Sequence, residues 1–123
     1  MATLCRPLSG KAEYLNPNAV KVVTDKNGKA LYFSRSPIPM RRDGGKNEPA
    51  GNQVGLHVGI YAYRADFLQK LAKLKSTYLE KTEKLEQLRV LENGYDIAVG
   101  QTKLKSHAID TPKDAALVRR LIK

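Results

Sequence analysis

The chain is poor in the residues that staple or ligate. It has one cysteine, Cys5, and two histidines, and no apolar run in it approaches the length of a membrane span. A lone cysteine excludes an internal disulfide and a cysteine-rich zinc site, and no histidine stands near it in sequence to form a nucleophilic pair. Cys5 therefore reads as a small apolar residue. A spanning helix needs about 20 apolar residues, so membrane insertion is not expected. The opening MATLCRPLSGKAEY lacks the long apolar centre of a secretory signal. A cytoplasmic location is therefore expected.

What is present suits one domain. A chain of 123 residues, 41% of them apolar, fits a single modest core at about 100–200 residues per domain. No internal repeat is visible. The net charge of +10 raises the possibility of a nucleic-acid partner. Against it, lysines and arginines are spread through every segment, and the pairs Arg41-Arg42 and Arg119-Arg120 sit in no aromatic platform. A solvated basic surface, or one that speeds the encounter with a small anion, is expected instead.

The stretch Val54 to Tyr61 has two unlike faces. At the period of two, Val54, Leu56, Val58 and Ile60 share one side, expected to be core, and Gly55, His57, Gly59 and Tyr61 share the other. Two glycines beside a histidine either leave an open, polar-floored trough for a ligand or make room for a helix across the sheet. Both readings stand at this level.

Elsewhere, Ala19 to Thr24 and Lys29 to Phe33 read as strands joined by the turn Asp25-Lys26-Asn27-Gly28, a β-hairpin. Ser36-Pro37-Ile38-Pro39 is expected to be extended. The polar stretch of about 40–53 holds three glycines and a proline and is expected to be a flexible loop. Phe67, Leu68, Leu71 and Leu74 predict a helix over Ala65 to Leu74. Thr77 and Glu80 form a capping-box pattern opening a longer one, which runs through Leu85, Leu88 and Leu91 to Asn93-Gly94. Tyr95 to Val99 reads as a strand, and Pro112 to Ile122 as a last helix capped by Thr111 and Asp114. Asp110 is left over from that cap as a solvated charge, a partner of the helix dipole or a ligand for a hard cation. The class is α/β or α+β.

Taken in order, NPNAVKVV, ALYFSR followed by PIP, HVGIYAYR, LEQLRVLENG and IDTPKD resemble the C-terminal half of the 3-deoxy-manno-octulosonate cytidylyltransferases, the CMP-Kdo synthetases. The resemblance runs from Thr3 through the helix after Pro112, so residues 1–123 resemble the C-terminal part of one such domain. It implies an α/β fold, the C-terminal half of a nucleotidyltransferase-type mixed sheet with a β-hairpin and flanking helices. It also implies magnesium-dependent transfer of CMP from CTP to the sugar acid Kdo, for lipopolysaccharide biosynthesis, by a homodimer. Carried over by motif, Arg35 would face the anionic sugar, His57 and Tyr61 would bind its hydroxyl and carboxylate oxygens, and Glu86 and Gln87 would contact its hydroxyls. Asp110 would help hold magnesium.

Two departures accompany the match. The glycine-containing loop that cradles the CTP phosphates in the family, and its GD-type metal motif, are absent from this sequence, and Lys113 replaces an acidic residue common in the DTPED motif. A single carboxylate holds magnesium weakly. The isolated chain is therefore expected to be inactive unless a complementing N-terminal half is supplied. The alternative expectation is a noncatalytic binding or dimerisation module for an anionic sugar or nucleic acid.

Overall fold

The computed structural model describes residues 1–42, 51–104, 107, 109 and 111–122. Five strands, β1 (Ala2–Arg6), β2 (Lys21–Thr24), β3 (Ala30–Ser34), β4 (Val54–Ala62) and β5 (Ala98–Gln101), form one mixed sheet in the order β3-β2-β4-β1-β5. Only β1 and β5 run parallel. The helices are α1 (Lys11–Leu15), α2 (Ala65–Leu71), α3 (Tyr78–Glu83), α4 (Leu88–Glu92) and α5 (Pro112–Leu121). This is the α/β class that the resemblance implies.

The hairpin forms where its turn chemistry asks for it. Gly28 takes a φ of 77°, and the Asp25 side chain accepts from the N–H groups of Asn27 and Lys29 at 2.8 and 2.9 Å. The same turn reaches the far side of the sheet. Ala30 N–H donates to the Ile97 carbonyl at 2.9 Å, Val99 N–H donates to Gly28 at 2.8 Å, and Lys29 pairs with Asp96 at 2.6 Å. The two edge strands thus meet at one end.

The register decides which face carries the main core, and it puts that cluster on the face opposite the expected one, although Val58 is buried as expected. Facing residues of antiparallel strands project to the same side. Cys5 faces His57, and Val22 faces both Gly55 and Phe33, so all five share one side. Cys5, Val22 and Phe33 join Ala30, Leu85, Leu88, Val90 and Ile97 in the buried core. The His57 side is therefore the one covered by α4 and the segment before it; on the other side Val58 is 7% exposed, whereas Ile60, expected inside, is 61% exposed. Alternation reports that two faces exist. Which one is covered depends on where the later segments return.

Gly55 makes the close strand packing possible. A Cβ there would stand 2.8 Å from Cys5 Sγ and 2.9 Å from the Arg6 carbonyl, whereas one at Gly59 would meet nothing within 4 Å. Gly55→Ala is expected to cost about 1–3 kcal/mol in urea unfolding, because backbone cannot rotate away from the added methyl. Gly59→Ala should change stability by less than about 0.5 kcal/mol. Equal effects at the two sites would refute the close-approach explanation.

The expected long helix from Thr77 is broken. Its Glu80 carboxylate accepts from Thr77 N–H at 3.0 Å as the capping pattern predicts, but Lys84 turns left-handed at φ 55° and α4 starts at Leu88. Glu80 and Arg89 explain the break. On a continuous helix they would stand about 13 Å apart along the axis. Instead Arg89 Nε donates to Glu80 at 2.9 Å. Strand β1 and helix α1 had no counterpart among the expected elements, and β5 starts three residues beyond the predicted Tyr95. The cap of α5 forms as predicted, Thr111 N–H donating to Asp114 at 2.8 Å and Asp114 N–H to Thr111 Oγ1 at 3.2 Å. Residues 43–50 of the predicted loop, and Asp110, lie outside the described residues.

Candidate functional site

A cleft of about 240 Å³ opens between the end of β4, α2 and the α3–α4 bend. Tyr61 and Tyr63 enter from the β4 side, Leu68 and Leu71 from α2, and Glu86, Gln87 and Arg89 from the bend and α4. The break after Lys84 is what aims this last group. It turns Leu85, Leu88 and Val90 into the core and leaves the two residues between Leu85 and Leu88 facing the cleft.

The polar groups of the cleft differ in how far they are already committed. Burial, reinforced by Tyr63 and the Glu86 carboxylate, pushes the Tyr61 hydroxyl well above the ordinary phenol range, so it stays a donor at neutral pH. Burial and the Glu86 carboxylate raise Tyr63 as well. Gln87 is only 6% exposed, yet its Nε2 has no hydrogen-bond partner among the described residues. A buried amide left unpaired costs about 1–3 kcal/mol, which a ligand oxygen would recover. Arg89 brings no free cation. Its guanidinium is forked onto Glu80 and also reaches the Leu74 carbonyl at 3.3 Å.

His57 stands behind Tyr61, ring centroids 5.4 Å apart, with the edge of Phe33 at 5.0 Å on another side. Burial lowers its pKa to about 4, so the imidazole is neutral near pH 7. Its Nε2 lies 2.9 Å from Thr3 Oγ1.

Of the residues singled out by sequence, Tyr61, Glu86 and Gln87 converge in the cleft and His57 backs it. Arg35 is not among the lining residues. Its Nε donates to the Glu83 carbonyl at 2.7 Å and its two terminal nitrogens donate to Pro17 at 3.0 Å and Lys84 at 3.3 Å, so it fastens the end of β3 to the end of α3. Nearby, Glu83 accepts from Ser34 and from Arg35 N–H at 2.5 and 3.0 Å. Asp110, lying outside the described residues, is not placed. Sequence reasoning missed Tyr63, although the period of two that picked out Tyr61 leads to it. It also missed Thr3, whose role depends on a pairing register that no local pattern reveals.

The chemistry on offer is hydroxyl recognition: phenol and amide donors beside one carboxylate, against an apolar wall. Residues 1–97 match the family model described as Cytidylyltransferase. The chain belongs to the cytidylyltransferase family. Among its relatives, the 3-deoxy-manno-octulosonate cytidylyltransferase of Syntrophotalea carbinolica is 51% identical over 122 residues, covering 96% of this chain and 49% of the relative. The enzyme of the same name from Neisseria gonorrhoeae is 52% identical, covering 97% and 49%. A solved structure of CMP:2-keto-3-deoxy-manno-octonic acid synthetase complexed with CTP is similar at a TM-score of 0.83 and 41% identity, over 98% of this chain and 48% of that one. This cytidylyltransferase-family chain spans about half the length of the curated relatives it matches. No described helix is long and apolar enough to cross a membrane.

Proposed function

We propose that this chain carries the sugar-acid side of a cytidylyltransferase site, serving transfer of CMP from CTP to Kdo in the cytoplasm for lipopolysaccharide biosynthesis. The observation that supports it most is the convergence of Tyr61, Glu86 and Gln87 on one cleft, with the Gln87 amide buried and unpaired. Relatives at about half identity, named for this reaction, supply the substrate. The CTP-binding side would come from a complementing N-terminal half, and the assembly would be a homodimer as the resemblance implies.

The residues here bind and orient. Tyr61 donates to a sugar oxygen, Gln87 donates to a second once its sealed amide turns into the cleft, and Glu86 accepts from a hydroxyl. Holding the sugar in one pose converts a bimolecular attack on the α-phosphorus into a positioned one, which supplies much of such catalysis. Among the described residues no three His, Cys, Asp or Glu side chains form a metal-binding set. The metal-holding role of Asp110 rests on the resemblance alone.

Titration calorimetry with Kdo tests the reading. Gln87→Ala and Tyr61→Phe should each weaken binding by roughly three- to tenfold, the worth of one neutral hydrogen bond. Unchanged affinity in both would remove the cleft as the sugar site. Arg35→Ala, run alongside, reports whether that guanidinium reaches the sugar carboxylate despite its three carbonyl bonds.

A further inference from the structure

Thr3 is 3% exposed and sits on β1 opposite Tyr61, beside the irregularity in the β1–β4 pairing. That irregularity gathers three polar atoms around one hydroxyl. Thr3 Oγ1 lies 2.7 Å from the Ile60 carbonyl, 3.3 Å from the Val58 carbonyl and 2.9 Å from His57 Nε2. A hydroxyl has one proton to give, and a carbonyl has none. An oxygen pair at 2.7 Å requires a proton between the two atoms, so the Thr3 proton goes to Ile60. Thr3 Oγ1 must then accept from His57, and Nε2 is the nitrogen that carries the hydrogen.

A neutral imidazole has only one N–H, so Nδ1 is left with a lone pair. Nδ1 makes no hydrogen bond to any described residue, and it is not sealed away among the buried, unpaired polar atoms. His57 is not itself among the lining residues of the cleft, but its ring stands against that of Tyr61, which is.

We propose that Thr3 is a positioning residue that locks His57 as the Nε2–H tautomer, so that His57 Nδ1 accepts a hydrogen bond from a hydroxyl of the substrate. The proposal rests on the sugar-binding reading of the cleft and narrows it. A lone pair attracts a hydroxyl and repels a carboxylate, so His57 selects for the hydroxyl-bearing part of the sugar and leaves the carboxylate to other groups.

The test is a long-range proton–nitrogen correlation spectrum of the full chain at pH 7 with its two histidines labelled, His107→Gln providing the assignment. The expected His57 pattern is a protonated Nε2 and an unprotonated Nδ1. Kdo should move the Nδ1 signal in the direction of an accepted hydrogen bond while leaving Nε2 in place. In Thr3→Val the single tautomer should be lost and Kdo affinity should drop roughly three- to tenfold, with Thr3→Ser retaining both. A protonated Nδ1 in the unaltered chain overturns the proposal whether or not Thr3→Val folds, as does an unchanged tautomer in Thr3→Val. Kdo shifting Nε2 but not Nδ1 overturns the acceptor role. Kdo perturbing no cleft residue would instead overturn the sugar reading, while the tautomer result would still decide the lock.

Discussion

Arg89→Met will destabilise the chain by about 3–5 kcal/mol, the cost of leaving one member of a buried ion pair without its partner. Glu80 is a buried residue, and its side chain is 10% exposed against 19% for that of Arg89. The guanidinium holds the Glu80 carboxyl down at about 2, chiefly through its hydrogen bonds, with the Thr77 N–H adding to the effect. Removing Arg89 also frees the Leu74 carbonyl and the link to Ser76, so the α2–α3 connection, α3 and α4 all lose a shared anchor. The double variant Glu80→Leu with Arg89→Met should recover much of the loss, because no charge is then stranded. Urea denaturation of the three variants measures this directly. A change below about 1 kcal/mol for Arg89→Met would show that the pair is a surface-type bridge. Kdo binding should weaken as well, since Arg89 shapes the cleft wall.

Acid will destabilise the fold in two separate steps. His57 titrates near 4 in the folded chain and near 6.5 when unfolded, because burial disfavours its charged form. Between those values the unfolded state binds the extra proton, so stability falls as pH drops from 6.5 towards 4 and this contribution levels off below it. The full effect is about 3 kcal/mol. Glu80 has the opposite charge and acts lower: its stabilising ionisation is present above 4.5 and is lost as pH falls towards 2. His57→Gln should flatten the upper step and spare the lower one. Chemical denaturation repeated across pH 7 to 2 would show this. An upper step that survives in His57→Gln would assign it to another group.

The parts of the fold governed by local rules were legible. The Asp25-to-Gly28 turn, the strand Val54–Ala62 and the Thr111–Asp114 cap all depend on residues within a few positions of one another. Long-range partners set the rest. The break at Lys84 follows from the Glu80–Arg89 pair, and β1 is a strand because β4 and β5 flank it, not because Ala2–Arg6 carries a strong pattern of its own. For the cleft, the family motifs brought Tyr61, Glu86 and Gln87 forward together. Which face of β4 met the core, and the commitment of Arg35 to backbone carbonyls, depended on packing that no short segment encodes.

The place of β1 between β4 and β5 also sets an order of events during synthesis. The β2–β3 hairpin can close within microseconds of leaving the ribosome. Cys5, by contrast, pairs with His57 on one side and Gln101 on the other. At about 5–20 residues per second, roughly 5–20 s separate the appearance of β1 from that of its last partner. For that interval an interior strand of the sheet keeps an unpaired edge, and until β4 appears Thr3 and His57 are strangers. The cleft, whose lining runs from Met1 to Val90, is consequently complete only after its far wall has followed its near one by most of the chain.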